Sequence, residues 1–317
     1  MRVSFSSEVK EELKEADSRA RHCKIAEFSA IFILTGQIRR NYHDEVYLKI
    51  HTENLTVAQK SYILIRSTFN AKVEVRVQNH NIRSSVMDYS IVVKQRNDVI
   101  SILKALKIID EQKNLWGDFS CVHHMIVQNT CCKRAFLRGI FMAAGSVTNP
   151  EKAYHLEIAV LSGSLAEQIK EIIACFDIDA KVIMRKKYYV VYIKEGAQIV
   201  DFLNVIGAHI ALMNYENVRI VKEVRNSVNR QVNCETANIS KTVNAAARQI
   251  EDIEYIRQNM GFGKLSDGLR EIAELRLEYP DSSLSELGEM LERPIGKSGV
   301  NHRLRKLSNI ANQIRDM

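Results

Sequence analysis

The sequence predicts an α+β chain: a duplicated N-terminal domain followed by an all-α domain ending in a helix-turn-helix. Three observations predict it. An internal repeat with an offset of 107 to 109 residues runs through the first two thirds of the chain. The stretch from Ala208 to Met260 contains neither glycine nor proline. The final segment sorts its charges, acidic first and basic last.

The repeat halves, about 20–108 and 130–207, share one order of elements. Each opens with a helix that stops at a glycine, Gly36 or Gly145. A strand follows (Glu45–Thr52, Ala153–Leu161), then a helix (Asn54–Phe69, Ser164–Phe176). Two strands come next, Ala71–Gln78 with Tyr89–Lys94 and Ala180–Lys186 with Tyr188–Lys194. Val73, Val75 and Val77 alternate with Glu74, Arg76 and Gln78, the period of a strand. A last helix closes each half (Asn97–Ile108, Gly196–Ile206). Residues 1–207 are therefore read as one domain of two similar units.

Residues 208–260 are read as a helical connector. Asn226, Asn229, Asn233, Ala237, Ser240 and Asn244 share one stripe on a 3.6-residue period. Small polar residues are poor helix formers on a solvated face, so the stripe either packs on a neighbouring domain or hydrogen-bonds nucleic acid or a partner. The asparagines also predict a break in the helix.

Residues 261–317 carry the helix-turn-helix. Leu269–Glu278 is the first helix. Ser283–Glu292 is the second, with Ser283 as N-cap and Glu286 at the capping-box position. Pro280 ends the first helix, and Pro294 lies in the turn before the third, Lys297–Ile314. Val300, Leu304, Leu307, Ala311 and Ile314 form the buried stripe of that helix. From Leu265 to Glu292 there are eight acids against Arg270 and Arg276, whereas Lys297–Lys306 holds four cations and no acid. Such sorting keeps the acidic block off a polyanion and turns the basic helix toward it.

Composition narrows the class. Hydrophobic residues make up 46% of the 317, which suits a folded chain, and the formal charge of +7 suits an acidic partner. The first twenty residues alternate charges, and no apolar run nears the ~20 residues of a membrane span, so a cytoplasmic protein with no membrane association is expected. Cys131 and Cys132 are adjacent, a poor spacing for metal ligands; free thiols are the better reading, with a metal site beside His123-His124 the alternative. No cofactor and no metal are expected.

The helices that open each half carry a motif. Leu137-Arg138-Gly139-Ile140-Phe141-Met142-Ala143-Ala144-Gly145, with a fainter copy at Phe28–Gly36, resembles the LAGLIDADG helix of homing endonucleases. The resemblance implies two such helices side by side, with the final acid of each holding a divalent metal. Those positions are Thr35 and Ala144 here, and the sixth positions are Ile33 and Met142. None offers the anionic oxygen that Mg²⁺ requires, so no catalytic residue is expected and the scaffold is read as retained without its chemistry.

Cys132–Gly139, Tyr154–Ile158, Glu216–Arg219, Arg225–Asn238 and Gly296–Leu307 together resemble the WhiA family of Gram-positive bacteria, with residues 70–130 matching more loosely. The resemblance implies a cytoplasmic, nucleoid-associated DNA-binding protein. It further implies a transcription regulator of sporulation in actinobacteria, and a link to cell division and chromosome segregation elsewhere. Double-stranded DNA is the expected partner, with a protein as a second candidate partner. Lys297, Ser298, Asn301, His302, Arg303, Arg305 and Lys306 are the expected DNA contacts. Asn301 and Arg303 are assigned to base edges, and Lys297, Arg305 and Lys306 to phosphate. Arg185, Lys187, Asn226, Asn229 and Asn233 are candidates for secondary DNA or partner contacts, and Arg76, Lys186 and Lys194 lie on the same predicted sheet. The rivals are a protein-interaction component of cell division and a metal-dependent nuclease.

Overall fold

The computed structural model describes residues 4–42, 44–79, 87–110 and 120–316. The chain separates into two compact units, Met1–Lys222 and Glu223–Met317.

The first unit begins with α1 (Phe5–Glu15) and α2 (Arg21–Thr35), followed by β1 (Gly36–Arg40), β2 (Val46–Thr52), α3 (Leu55–Phe69), β3 (Glu74–Asn79), β4 (Met87–Val93) and α4 (Arg96–Ala105). The second half repeats the order from α2 onward with α5 (Thr130–Ala144), β5 (Gly145–Val147), β6 (Leu156–Val160), α6 (Gly163–Ala174), β7 (Lys181–Arg185), β8 (Tyr188–Ile193) and α7 (Gly196–Ile206). Each half makes one antiparallel four-stranded sheet, with strand orders β1-β2-β4-β3 and β5-β6-β8-β7. The short strands β1 and β5 add to the three expected per half. Gly36 (φ −83°, ψ 149°) and Gly145 (φ −82°, ψ 151°) adopt the same extended conformation, so each glycine converts a helix directly into an edge strand. Lys186 and Lys187, expected on a strand, form the β7–β8 turn.

The motif helices α2 and α5 pack against one another. Gly139 sets their approach: a Cβ there would strike the Glu27 carbonyl oxygen and come within 2.8 Å of the Ala30 Cβ. Beside this contact sits a buried ion triad. Glu27 is fully buried, with Lys60 Nζ at 3.2 Å and Arg138 Nη1 at 3.2 Å. Burial pushes the Glu27 carboxyl up, and the two cations oppose that shift. Lys60 also donates to the carbonyls of Leu13, Lys14 and Ala16 and so caps the C-terminal end of α1.

A single helix, α8 (His209–Asn259, 51 residues), follows without interruption. The break expected at the asparagines is absent, because the stretch lacks any residue that forbids the helical backbone and each asparagine costs only about 0.7 kcal/mol relative to alanine. The second unit continues with α9 (Asp267–Glu278), α10 (Leu284–Glu289) and α11 (Lys297–Arg315). Its core joins Ile253 and Ile256 of α8 to Ile272, Leu287, Val300, Leu304 and Leu307.

Candidate nucleic-acid interface

The second unit is built to present α11. The Ser283 side chain accepts from the Glu286 backbone N–H, and Glu286 accepts from the Ser283 N–H, completing the expected capping box of α10. These bonds hold the Glu286 carboxyl below its usual range. Gly288 lets α10 approach the turn before α11, since a Cβ there would collide with the Ile295 carbonyl oxygen. Arg276, which is 2% exposed, donates to the carbonyl oxygens of Ser282 (2.7 Å) and Pro280 (3.3 Å) and so fixes the α9–α10 connection. At the far end of α11, Arg315 pairs with Asp252 at 2.8 Å and lies over the Tyr255 ring.

Val300, Leu304, Leu307 and Ala311 are buried, and Ile314 packs at the edge of the same core, so the other side of α11 faces outward. Lys297, Ser298, His302, Arg305 and Lys306 are exposed and Asn301 is half-buried. Lys297, Arg305 and Lys306 have no ion-pair partner among the described residues. Ser298, His302, Arg305 and Asn309 recur every three or four residues and form the centre of the outward face. Asn309 was missed in the sequence because it follows the cationic run rather than lying within it.

Arg303, expected at a base edge, turns inward. Its Nη1 donates to the Gly268 carbonyl at 3.2 Å and lies 3.9 Å from Glu271, placing the guanidinium against the start of α9. Glu271 also accepts from the Glu292 backbone N–H at 2.6 Å, so this carboxylate ties α11 and the end of α10 to α9.

The outer sheet faces of the first unit are different in character. Register places Lys49, Val92 and Glu74 side by side, and next to them His51, Ser90 and Arg76. Glu74 pairs with both Arg76 (3.3 Å) and Lys94 (2.7 Å). In the second half Glu157 lies 3.6 Å from Arg185 and 3.2 Å from His155. Lys187 sits in its turn with Nζ over the Tyr188 ring. Several of the cations on these faces therefore already have carboxylate counter-ions.

At the ends of the motif helices, the Thr35 hydroxyl donates back to the Ile31 carbonyl at 2.7 Å, and Ala144 offers no ligand atom. On α8, Asn226, Asn229, Asn233, Ala237, Ser240 and Asn244 are all exposed, so the stripe does not pack on a neighbour among the described residues. A second stripe, Val221, Val224, Val228, Val232, Ile239 and Val243, is exposed beside it. The cysteine pair meets His22 and Cys23, rather than His123 and His124, which stack on each other.

The two units thus define a protein made of a duplicated LAGLIDADG-like α+β scaffold and a C-terminal helix-turn-helix. Comparison with known proteins agrees segment by segment. The WhiA N-terminal LAGLIDADG-like domain matches residues 21–109, the WhiA LAGLIDADG-like domain residues 133–225, and the WhiA C-terminal HTH domain residues 228–311. The probable cell division protein WhiA of Lachnoclostridium phytofermentans is 51% identical over 313 residues, covering 99% of this chain and 100% of the relative. That of Alkaliphilus oremlandii is 46% identical, covering 99% and 98%. The crystal structure of full-length DUF199/WhiA from Thermatoga maritima superposes with a TM-score of 0.59 at 26% identity, covering 98% of this chain and 99% of that one. The chain belongs to the WhiA family. Among the described residues no helix is long and apolar enough to cross a membrane.

Proposed function

We propose that this protein is a sequence-reading, DNA-binding regulator that serves cell division, as the names of its relatives indicate, and that it has no nuclease activity. One observation carries the reading: the outward face of α11 holds Lys297, Arg305 and Lys306 without a counter-ion among the described residues, whereas Arg76, Lys94 and Arg185, on or beside the sheets, are paired. A phosphate backbone is the partner such cations seek, and the free N–H groups at the start of α11 add a positive end. Ser298, Asn301 and His302, near that start, are assigned to base edges. Arg303 is assigned to holding the helix against α9. Without a carboxylate at positions 35 and 144, a metal would find no anionic ligand where the motif supplies one.

The test is genome-wide crosslinking of the wild type beside a Lys297/Arg305/Lys306 triple-Ala variant. Sharp peaks that vanish in the variant support the reading. Identical maps would remove α11 from the interface. A plasmid-nicking assay with Mg²⁺ should show no cleavage. The role in gene control, sporulation included, is tested by transcript changes at the crosslinked sites. The exposed apolar stripe of α8 supports a second, compatible reading in which a protein partner docks there.

A further inference from the structure

His22 and Cys23 are the second and third residues of α2, and Cys131 and Cys132 are the second and third residues of α5. The two pairs are separated by 109 residues, one repeat length. Because α2 and α5 lie side by side and run from the same end, the repeat brings both pairs together at the helix N-termini. The ligand atoms of all four residues lie within 4.8 Å of one another. His22 Nδ1 is 3.1 Å from Cys132 Sγ and 3.4 Å from Cys23 Sγ. Cys23 and Cys132 are buried, whereas His22 and Cys131 reach the surface. This is the one group of three or more His, Cys, Asp or Glu side chains with converging ligand atoms among the described residues.

We propose that His22, Cys23, Cys131 and Cys132 form a structural zinc site that pins together the N-terminal ends of the two central helices. Three thiolates and one imidazole are a closed tetrahedral set for Zn²⁺. With Zn–S near 2.3 Å and Zn–N near 2.0 Å, the donor atoms of such a tetrahedron stand roughly 3.5–3.8 Å apart. The present cluster needs shifts of about an ångström or less to reach that geometry. Zinc binding releases one proton from each thiol to solvent and leaves the imidazole neutral, so the filled site carries one net negative charge. The four residues lie in the first turns of two helices, whose positive ends favour that charge, and Arg21, Lys24, Lys133 and Arg134 adjoin the two pairs. A disulfide would use only two of the three sulfurs and leave the imidazole without a role. Soft sulfur ligands and an absent carboxylate argue against Mg²⁺ or Ca²⁺. The site lies at the opposite ends of α2 and α5 from Thr35 and Ala144, so it is not a displaced nuclease centre.

The experiment uses the full chain, purified reduced and without added metal, then analysed for bound elements and titrated with Zn²⁺ and Co²⁺ after chelation. The expected result is one zinc per chain, the absorption of a tetrahedral cobalt thiolate, and a lower melting temperature once the metal is stripped. His22→Ala and Cys131→Ser, both surface positions, should fold and should each weaken Zn²⁺ binding at least tenfold. Cys234→Ser, on exposed α8, should change nothing. A reduced chain that binds neither metal overturns the proposal. So does a Cys131→Ser variant with undiminished zinc, or an intact mass that is two hydrogens light and reports a disulfide within the cluster.

Discussion

At the residue scale, contacts that sequence spacing cannot report decide several outcomes. Glu27, Lys60 and Arg138 are far apart in sequence, yet together they fill the interior beside the motif helices. Removing Arg138 would leave a fully buried carboxylate with one cation, and breaking such an arrangement costs about 3–5 kcal/mol. Arg138→Ala should therefore lower the denaturant midpoint sharply, and Glu27→Gln introduced with it should recover part of the loss. A midpoint unmoved by Arg138→Ala would mean the triad contributes nothing. Gly139→Val should destabilise by about 1–3 kcal/mol, since the obstacle is the Glu27 backbone, which cannot rotate aside. Gly139 was legible as part of a motif, whereas the triad was not, because ion pairs across a fold leave no periodic trace. Arg303 shows the same limit: charge sorting placed it in the basic run, but only the packing of α9 shows that its guanidinium faces Gly268.

At the element scale, periodicity and capping were readable where one face is buried and the ends are marked. Ser283 with Glu286 caps α10, and Val300, Leu304 and Leu307 line the core, as the sequence suggested, while Asn54, expected as the first residue of a helix, caps α3. β1 and β5 were not readable, because Gln37, Arg39 and Arg40 give no apolar alternation and β5 has only three residues. The capping box yields a prediction with a definite sign. The Glu286 carboxyl is held below its unfolded value, so its stabilisation is full above that value and is lost as pH falls through the folded one. Glu286→Gln keeps the reciprocal bond but removes the titration, so the variant should lose less stability on acidification than the wild type. Ser283→Ala should cost about 1 kcal/mol at neutral pH, where thermal melting reads it directly. The exposed asparagines of α8 call for the opposite experiment. Replacing Asn226, Asn229 and Asn233 with alanine should raise helix stability by up to about 0.7 kcal/mol each. If the stripe serves as a contact surface, the same variant should bind DNA or its partner less well; unchanged binding with raised stability would show a merely solvated face.

At the scale of the whole molecule, the cations that α11 turns outward and those held beside Glu74 and Glu157 carry their charge in different ways, and that difference predicts how binding responds to salt. On the sheets, Arg76 and Lys94 share Glu74, and Arg185 lies beside Glu157, so an approaching phosphate must compete with a carboxylate already in place. On α11, Lys297, Arg305 and Lys306 face outward without such a carboxylate among the described residues. Each phosphate neutralised on B-DNA contributes about 0.9 to the slope of log affinity against log salt. Three free cations then account for a slope of about 2.7, or roughly a fortyfold loss of affinity between about 50 and about 200 mM salt. In the full chain, Arg305→Ala and Lys306→Ala should each flatten the slope by about one and weaken binding to every sequence alike. Ser298→Ala or His302→Ala should leave the slope intact and narrow the gap between specific and non-specific sites. Arg185→Ala should change the slope by much less than one, because its positive charge is already partly neutralised by Glu157. Fluorescence anisotropy on a short duplex across a salt series separates these cases. A steep slope that survives the α11 substitutions but falls with Arg76→Ala and Arg185→Ala would move the DNA interface to the sheets, as in a protein that kept its scaffold's original surface after losing the motif acids.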